Sequence, residues 1–152
     1  MLGFLIIAHA PLASALKAIA EHAFPGCAIS LVALDVSNEL PPEQTEAVGH
    51  ALLAAMSSED VLILTDVFGA TPCNLAQKLA SDCDSKTVKI VAGVNVPMLW
   101  RSLCYAHEGL DSVVERAVSG AAQGVIQVCV SRPQNQTTLS GAHDSSQRHH
   151  QQ

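Results

Sequence analysis

Aromatic and basic residues are both scarce in this 152-residue chain, which carries three Phe, one Tyr and one Trp, and eight Lys plus Arg against fourteen Asp plus Glu. A net charge of -6 with no basic run argues against a protein that reads nucleic-acid backbones. Long apolar runs are also missing. The longest, residues 4–8 and 51–56, fall far short of the roughly 20 residues needed to span a bilayer, so no membrane insertion is expected. The N-terminus lacks the basic flank of a signal peptide, and the expected location is the cytoplasm. Cys27, Cys73, Cys83, Cys104 and Cys129 are odd in number and contain no Cys-x-x-Cys. They suggest neither a disulfide framework nor a zinc site, and read as buried, reduced thiols. What remains is 49% apolar and 14% charged residues, enough for one domain with an aliphatic core of Ala, Leu, Val and Ile.

Two kinds of segment alternate along that domain. Residues 3–8, 29–36, 60–65 and 88–92 are short, apolar and rich in β-branched side chains, mostly without the polar alternation of a strand that has one wet face. They read as strands covered on both sides. Between them the spacing predicts helices over 11–23, 42–56, 72–80, 97–105 and 110–122, the first with a stripe of Leu12, Leu16, Ile19 and Ala23. Pro11, Pro42, Pro72 and Pro97 each stand where a first helical turn would begin, a place that tolerates proline. A last strand is expected over 125–130. The pattern is that of an α/β domain with an open, mostly parallel sheet and helices on both faces, spanning residues 1–130. Residues 131–152 turn to Ser, Gln, Asn, Thr and His and read as a disordered polar tail.

In such sheets ligands gather beyond the carboxyl ends of the strands. His9 follows the first strand, and Asp66-Val67-Phe68-Gly69-Ala70-Thr71-Pro72 follows the third. Gly93-Val94-Asn95-Val96-Pro97 follows the fourth. Each has a bland role: a lone histidine is usually structural, an aspartate after a strand often caps a turn, and capped helices are common. Together they say more. Asp66 on a neighbouring strand can accept the Nδ1 proton of His9, leaving Nε2 with a free lone pair. Gly69 permits a tight path, Thr71 suits an N-cap, and the helix behind Pro72 presents free amides to an anion. There is no Gly-Lys-Ser/Thr loop, which disfavours nucleotide-driven transfer.

A nucleophilic imidazole beside an anion cradle describes a histidine that carries phosphate transiently, with no metal or cofactor required. Two other classes could use the same rim. A hydrolase would need a Ser, Cys or Asp nucleophile on a defined elbow, which is absent. A flavodoxin-like module for FMN or a small anion would want aromatic residues that the rim lacks. Cys73, in the first turn of a helix, reads as packing more readily than as a redox thiol. His22, His50 and His107 lack Glu-x-x-His or His-x-x-x-His spacing and receive surface or packing roles.

His9 after its aliphatic strand, the run from Asp66 to Asn74, and Gly93-Val94-Asn95-Val96-Pro97-Met98-Leu99 resemble the mannose-type enzyme IIA component of the bacterial sugar phosphotransferase system. The resemblance covers about residues 1–130. It implies four parallel strands plus a C-terminal strand exchanged between the subunits of a homodimer. It also implies that His9 is phosphorylated, that Asp66 is its partner, and that Gly69, Ala70 and Thr71 hold the phosphate. The donor would be the phosphohistidine carrier protein and the acceptor an enzyme IIB, or the phosphate would serve as a regulatory signal. Ala10 and Ala70 stand where the family usually has Gly, and Thr71 where it more often has Ser. The polar tail in place of a linker implies a free-standing IIA.

Overall fold

The computed structural model describes residues 2–25 and 30–129. Among them run β1 (Gly3–His9), α1 (Leu12–Ala23), β2 (Ser30–Val36), α2 (Pro42–Ala55) and β3 (Asp60–Thr65). They are followed by α3 (Thr71–Ser81), β4 (Thr87–Ala92), α4 (Val96–Cys104) and α5 (Leu110–Gln123). The four strands form one parallel sheet in the order β2-β1-β3-β4. The chain thus steps outward from β1 to β2 and then returns past β1 to β3. That reversal puts the topological switch point between β1 and β3, the two strands that end at His9 and just before Asp66.

Side chains alternate across the strands into two cores. Phe4, Ile6 and Ala8 of β1, with Leu62 and Leu64 of β3, pack against Leu16 of α1, Leu99 of α4 and Val113 of α5. On the other face Leu5, Ile7, Val61 and Ile63 meet Leu53 of α2 and Leu79 of α3. Burying β1 on both faces explains its unbroken apolar sequence, each large side chain contributing about 1.5–3 kcal/mol of transfer free energy. The prolines fall as expected: Pro11 precedes α1, Pro42 opens α2, and Pro72 and Pro97 lie in the first turns of α3 and α4.

One reading needs correction. The buried stripe of α1 is Ala13, Leu16 and Ala20, whereas Leu12 and Ile19 are 39% and 41% exposed and Ala23 is exposed. Small alanines let the helix lie close to the sheet, so the contact face is rotated away from the bulkier residues. Residues 125–129 form no strand within the chain; Val125, Ile126 and Val128 are each more than 70% exposed. A strand requires a backbone to pair with, and the segment meets none among the described residues of a single chain. Position 130 and the expected tail, 131–152, lie outside the described residues.

Candidate functional site

His9 is the last residue of β1 and the one exposed residue of an otherwise buried strand. Register makes its partner inevitable. Ile7 of β1 pairs with Thr65 of β3, so the residue after Thr65 lies beside the end of β1. That residue is Asp66. One carboxylate oxygen, Oδ2, accepts the backbone N–H of His9 at 2.9 Å and contacts ring Nδ1 at 2.6 Å. The other oxygen, Oδ1, accepts the N–H of Val67 at 2.8 Å. Burial pushes the Asp66 carboxyl up in pKa, but the backbone and ring hydrogen bonds from His9 and the amide of Val67 outweigh it and hold the group below the usual aspartate value. The carboxylate is therefore ionised at neutral pH, and Nδ1 donates to it. Asp66 is 9% exposed and the His9 side chain 53%. Among the described residues nothing hydrogen-bonds Nε2, which is free for a ligand.

The rim around the pair is braced from three sides. Ala10 donates its N–H to the carbonyl of Val36 at 3.0 Å, tying the chain after His9 to the end of β2. Asp35, the penultimate residue of β2, accepts the N–H of Ser14 at 3.1 Å and so fixes the first turn of α1. Gly93, at φ +92°, and Val94 both donate to the carbonyl of Thr65, binding the end of β4 to that of β3. Asn95 caps α4 by accepting the N–H of Met98 at 2.8 Å, and reaches across to the carbonyl of Ala121 in α5. The 93–97 loop thus supports the site rather than lining it. Asp35 and Asn95 were missed as positioning residues. The readable signal was an Asx side chain directly before a helix start, as with Asn95, whereas Asp35 serves a helix distant in sequence.

Chain continuity places Gly69, Ala70 and Thr71 on the same rim, three to five residues after Asp66. Gly69 adopts φ +79°, where a side chain would be strained. The residue preceding α3 is Ala70, not Thr71; Thr71 is the first helical residue and its side chain makes no cap hydrogen bond. The reason is local: Pro72 occupies the second helical position, one residue deeper than an N-cap at Thr71 would require. With an alanine at the cap, no side chain competes for the amides of the first turn, which carry the positive end of the helix dipole. Cys73, in the same turn, is buried and packs inward. Beside the rim a groove of about 420 Å³ descends between α2 and α3 from Val36 and Thr71 to Glu46 and Lys78. Val67 and Phe68 project from the loop, Phe68 79% exposed. The other aromatic side chains, Phe4, Phe24, Trp100 and Tyr105, lie on other elements, so no pair of rings is available to sandwich a flavin.

Fold and site together define an open α/β domain with a histidine oriented by an aspartate at its β1/β3 switch point. Residues 3–118 match the family described as "PTS system fructose IIA component" (EIIA-man), and the chain belongs to it. It is a phosphocarrier component of the sugar phosphotransferase system, a phosphotransferase, and membership does not favour the small-anion or FMN-binding reading. Solved structures share the fold. The phosphotransferase system component EIIA from Streptococcus agalactiae is 20% identical, with 84% of this chain and 97% of that one covered at a TM-score of 0.74. The mannose/sorbose specific IIA subunit from Enterococcus faecalis is likewise 20% identical, covering 86% and 96% at 0.71. The PTS IIA protein associated with the fucose utilization operon from Streptococcus pneumoniae is 24% identical, covering 83% and 92% at 0.65. No helix among the described residues is long and apolar enough to cross a membrane.

Proposed function

We propose that His9 is the residue that carries the phosphoryl group. Its Nε2 attacks the phosphorus of a phosphohistidine on the donor, the phosphohistidine carrier protein. A new N–P bond forms as the donor's N–P bond breaks, and the electron pair returns to the donor imidazole. The Nδ1 proton stays on the Asp66 side throughout, and the carboxylate stabilises the positive charge that grows on the ring. Backbone groups at Gly69, Ala70 and Thr71, with the Thr71 hydroxyl, receive the phosphoryl oxygens at the N-terminus of α3. The same steps in reverse pass the group to an enzyme IIB, or the phosphorylated form acts as a regulatory signal. The single observation that supports this reading is the 2.6 Å contact of Nδ1 with Asp66 beside an open Nε2.

The catalytic unit is residues 1–130, working in the cytoplasm as a homodimer, with 131–152 a polar appendage. In support of a dimer, residues 125–128 present exposed Val and Ile, and both β2 and β4 are edge strands with unpaired backbone groups. Exchange of the 125–130 segment between subunits would satisfy both. The test is incubation with phosphoenolpyruvate, enzyme I and the carrier protein. The expected result is one acid-labile, alkali-stable phosphoryl group per chain, absent from His9→Ala. Phosphate retained by His9→Ala, or found on a hydroxyl residue, would overturn the assignment. Sedimentation of a chain ending at residue 124 is expected to show a monomer; a dimer of unchanged stability would remove the exchange.

A further inference from the structure

A second histidine–carboxylate cluster lies away from the phosphoryl site, on the outer face where α2 crosses α3. The crossing is close because α2 carries Gly49 there, whose added Cβ would come within 2.6 Å of Leu79 Cδ1. That approach brings Glu46 and His50, one helical turn apart on α2, up to Asp82 at the C-terminal cap of α3. One ligand atom from each lies within 4.8 Å of the others. His50 Nε2 is 3.4 Å from Asp82 Oδ2 and 3.8 Å from Glu46 Oε1.

These separations carry the argument. An N–H···O hydrogen bond spans about 2.7–3.2 Å, shorter than either of these separations. Donor atoms held about 2.0–2.1 Å from one tetrahedral ion are, by geometry, about 3.3–3.4 Å apart. His50 Nε2 therefore stands from Asp82 Oδ2 at the distance of a shared ligand rather than of a direct bond, and from Glu46 Oε1 a few tenths of an ångström beyond it. The third member is aimed by a neighbour. Lys78 donates to Glu46 Oε2 at 2.7 Å, which leaves Oε1 turned toward His50, as outer partners orient metal-binding carboxylates. A cavity of about 360 Å³, lined by His50, Asp82, Cys83 and Asp84 among others, gives water a place to complete a coordination shell.

We propose that Glu46, His50 and Asp82 form a binding site for a first-row divalent transition cation, with zinc as the reference ion. One imidazole and two carboxylates, with water, suit such an ion better than calcium, which takes more oxygen ligands and no imidazole. Bound there, the ion links α2 to the C-terminal end of the helix whose first turn faces the phosphoryl group.

The test uses the full chain, stripped with chelator and titrated with zinc chloride by calorimetry. His143, His149 and His150 are replaced by Ala so that the C-terminal histidines do not contribute. The expected result is one zinc per chain, weakened at least about tenfold by His50→Ala and again by Asp82→Asn. Cobalt in place of zinc is expected to give visible bands that His50→Ala removes. His50→Gln, checked by circular dichroism, serves as the second variant if His50→Ala perturbs folding. Binding that survives both His50 variants, or no binding at submillimolar zinc in the triple-Ala chain, would overturn the proposal.

Discussion

His9 and His50 each stand beside carboxylates, yet the two places are built by different means. His9 and Asp66 come from adjacent strands, whose shared ladder sets side-chain position residue by residue and yields a contact of 2.6 Å. His50 meets Asp82 across a crossing of two helices, where the packing of Gly49 on Leu79 and the Lys78–Glu46 pair set the distance, and the result is 3.4 Å. The ladder brings the groups to bonding distance, so the carboxylate is spent on holding one imidazole. The crossing stops short of bonding distance, so three ligand atoms are left facing one another. Rigidity of the mount, more than residue type, separates the proposed nucleophile from the proposed ligand set.

The largest expected effect breaks the first mount. Asp66→Asn is expected to slow phosphoryl transfer on the order of 10²–10⁴-fold, because an amide neither fixes the ring tautomer nor stabilises its charge. Single-turnover transfer from the phosphorylated carrier measures it, with circular dichroism showing the fold retained. Next in size is Gly49→Val, which forces α2 away from Leu79 and is expected to cost about 1–3 kcal/mol in urea unfolding. Because it widens only the helix crossing, the same variant is expected to weaken zinc binding while transfer through His9 persists.

A subtler effect comes from acid. The pKa of Asp66 is depressed in the folded state relative to about 3.9 unfolded. Its stabilisation is therefore complete above that pH and is lost as pH falls through the lower folded value. The difference in urea midpoint between the native chain and Asp66→Asn is expected to be largest above about pH 4 and to shrink below it. The smallest effect concerns Thr65, which is fully buried with its hydroxyl unpartnered among the described residues. Thr65→Val is expected to raise stability by up to about 1 kcal/mol, since it removes a desolvated donor and keeps the shape.

Much of this was legible in the sequence, for reasons visible in particular residues. The strands ending at His9 and Thr65 announced themselves because burial on both faces demands unbroken apolar runs. Pro42, Pro72 and Pro97 marked helix starts because proline is tolerated only there. The pairing of His9 with Asp66 followed once β1 and β3 were neighbours. Ala13 and Ala20 were overlooked as the contact face of α1 because periodicity weighs bulk, and close packing favours small side chains. Thr71 was misread as a cap because one position of offset is invisible without backbone angles. Residues 125–129 pair with no other described strand, because apolar β-branched residues signal an appetite for pairing without supplying the partner. Glu46 and His50 are visibly one turn apart, but Asp82 joins them only through a helix crossing set by Gly49, which no local pattern discloses.

One consequence follows from β1 having neighbours on both edges and cores on both faces. Its amide protons are expected to be among the slowest in the molecule to exchange with solvent, opening only when the whole domain unfolds. The histidine at its tip is therefore anchored in the last part of the protein to come apart. Fraying of the outer strands β2 and β4 would loosen the braces at Val36 and Gly93 but leave the His9–Asp66 pair on its own ladder.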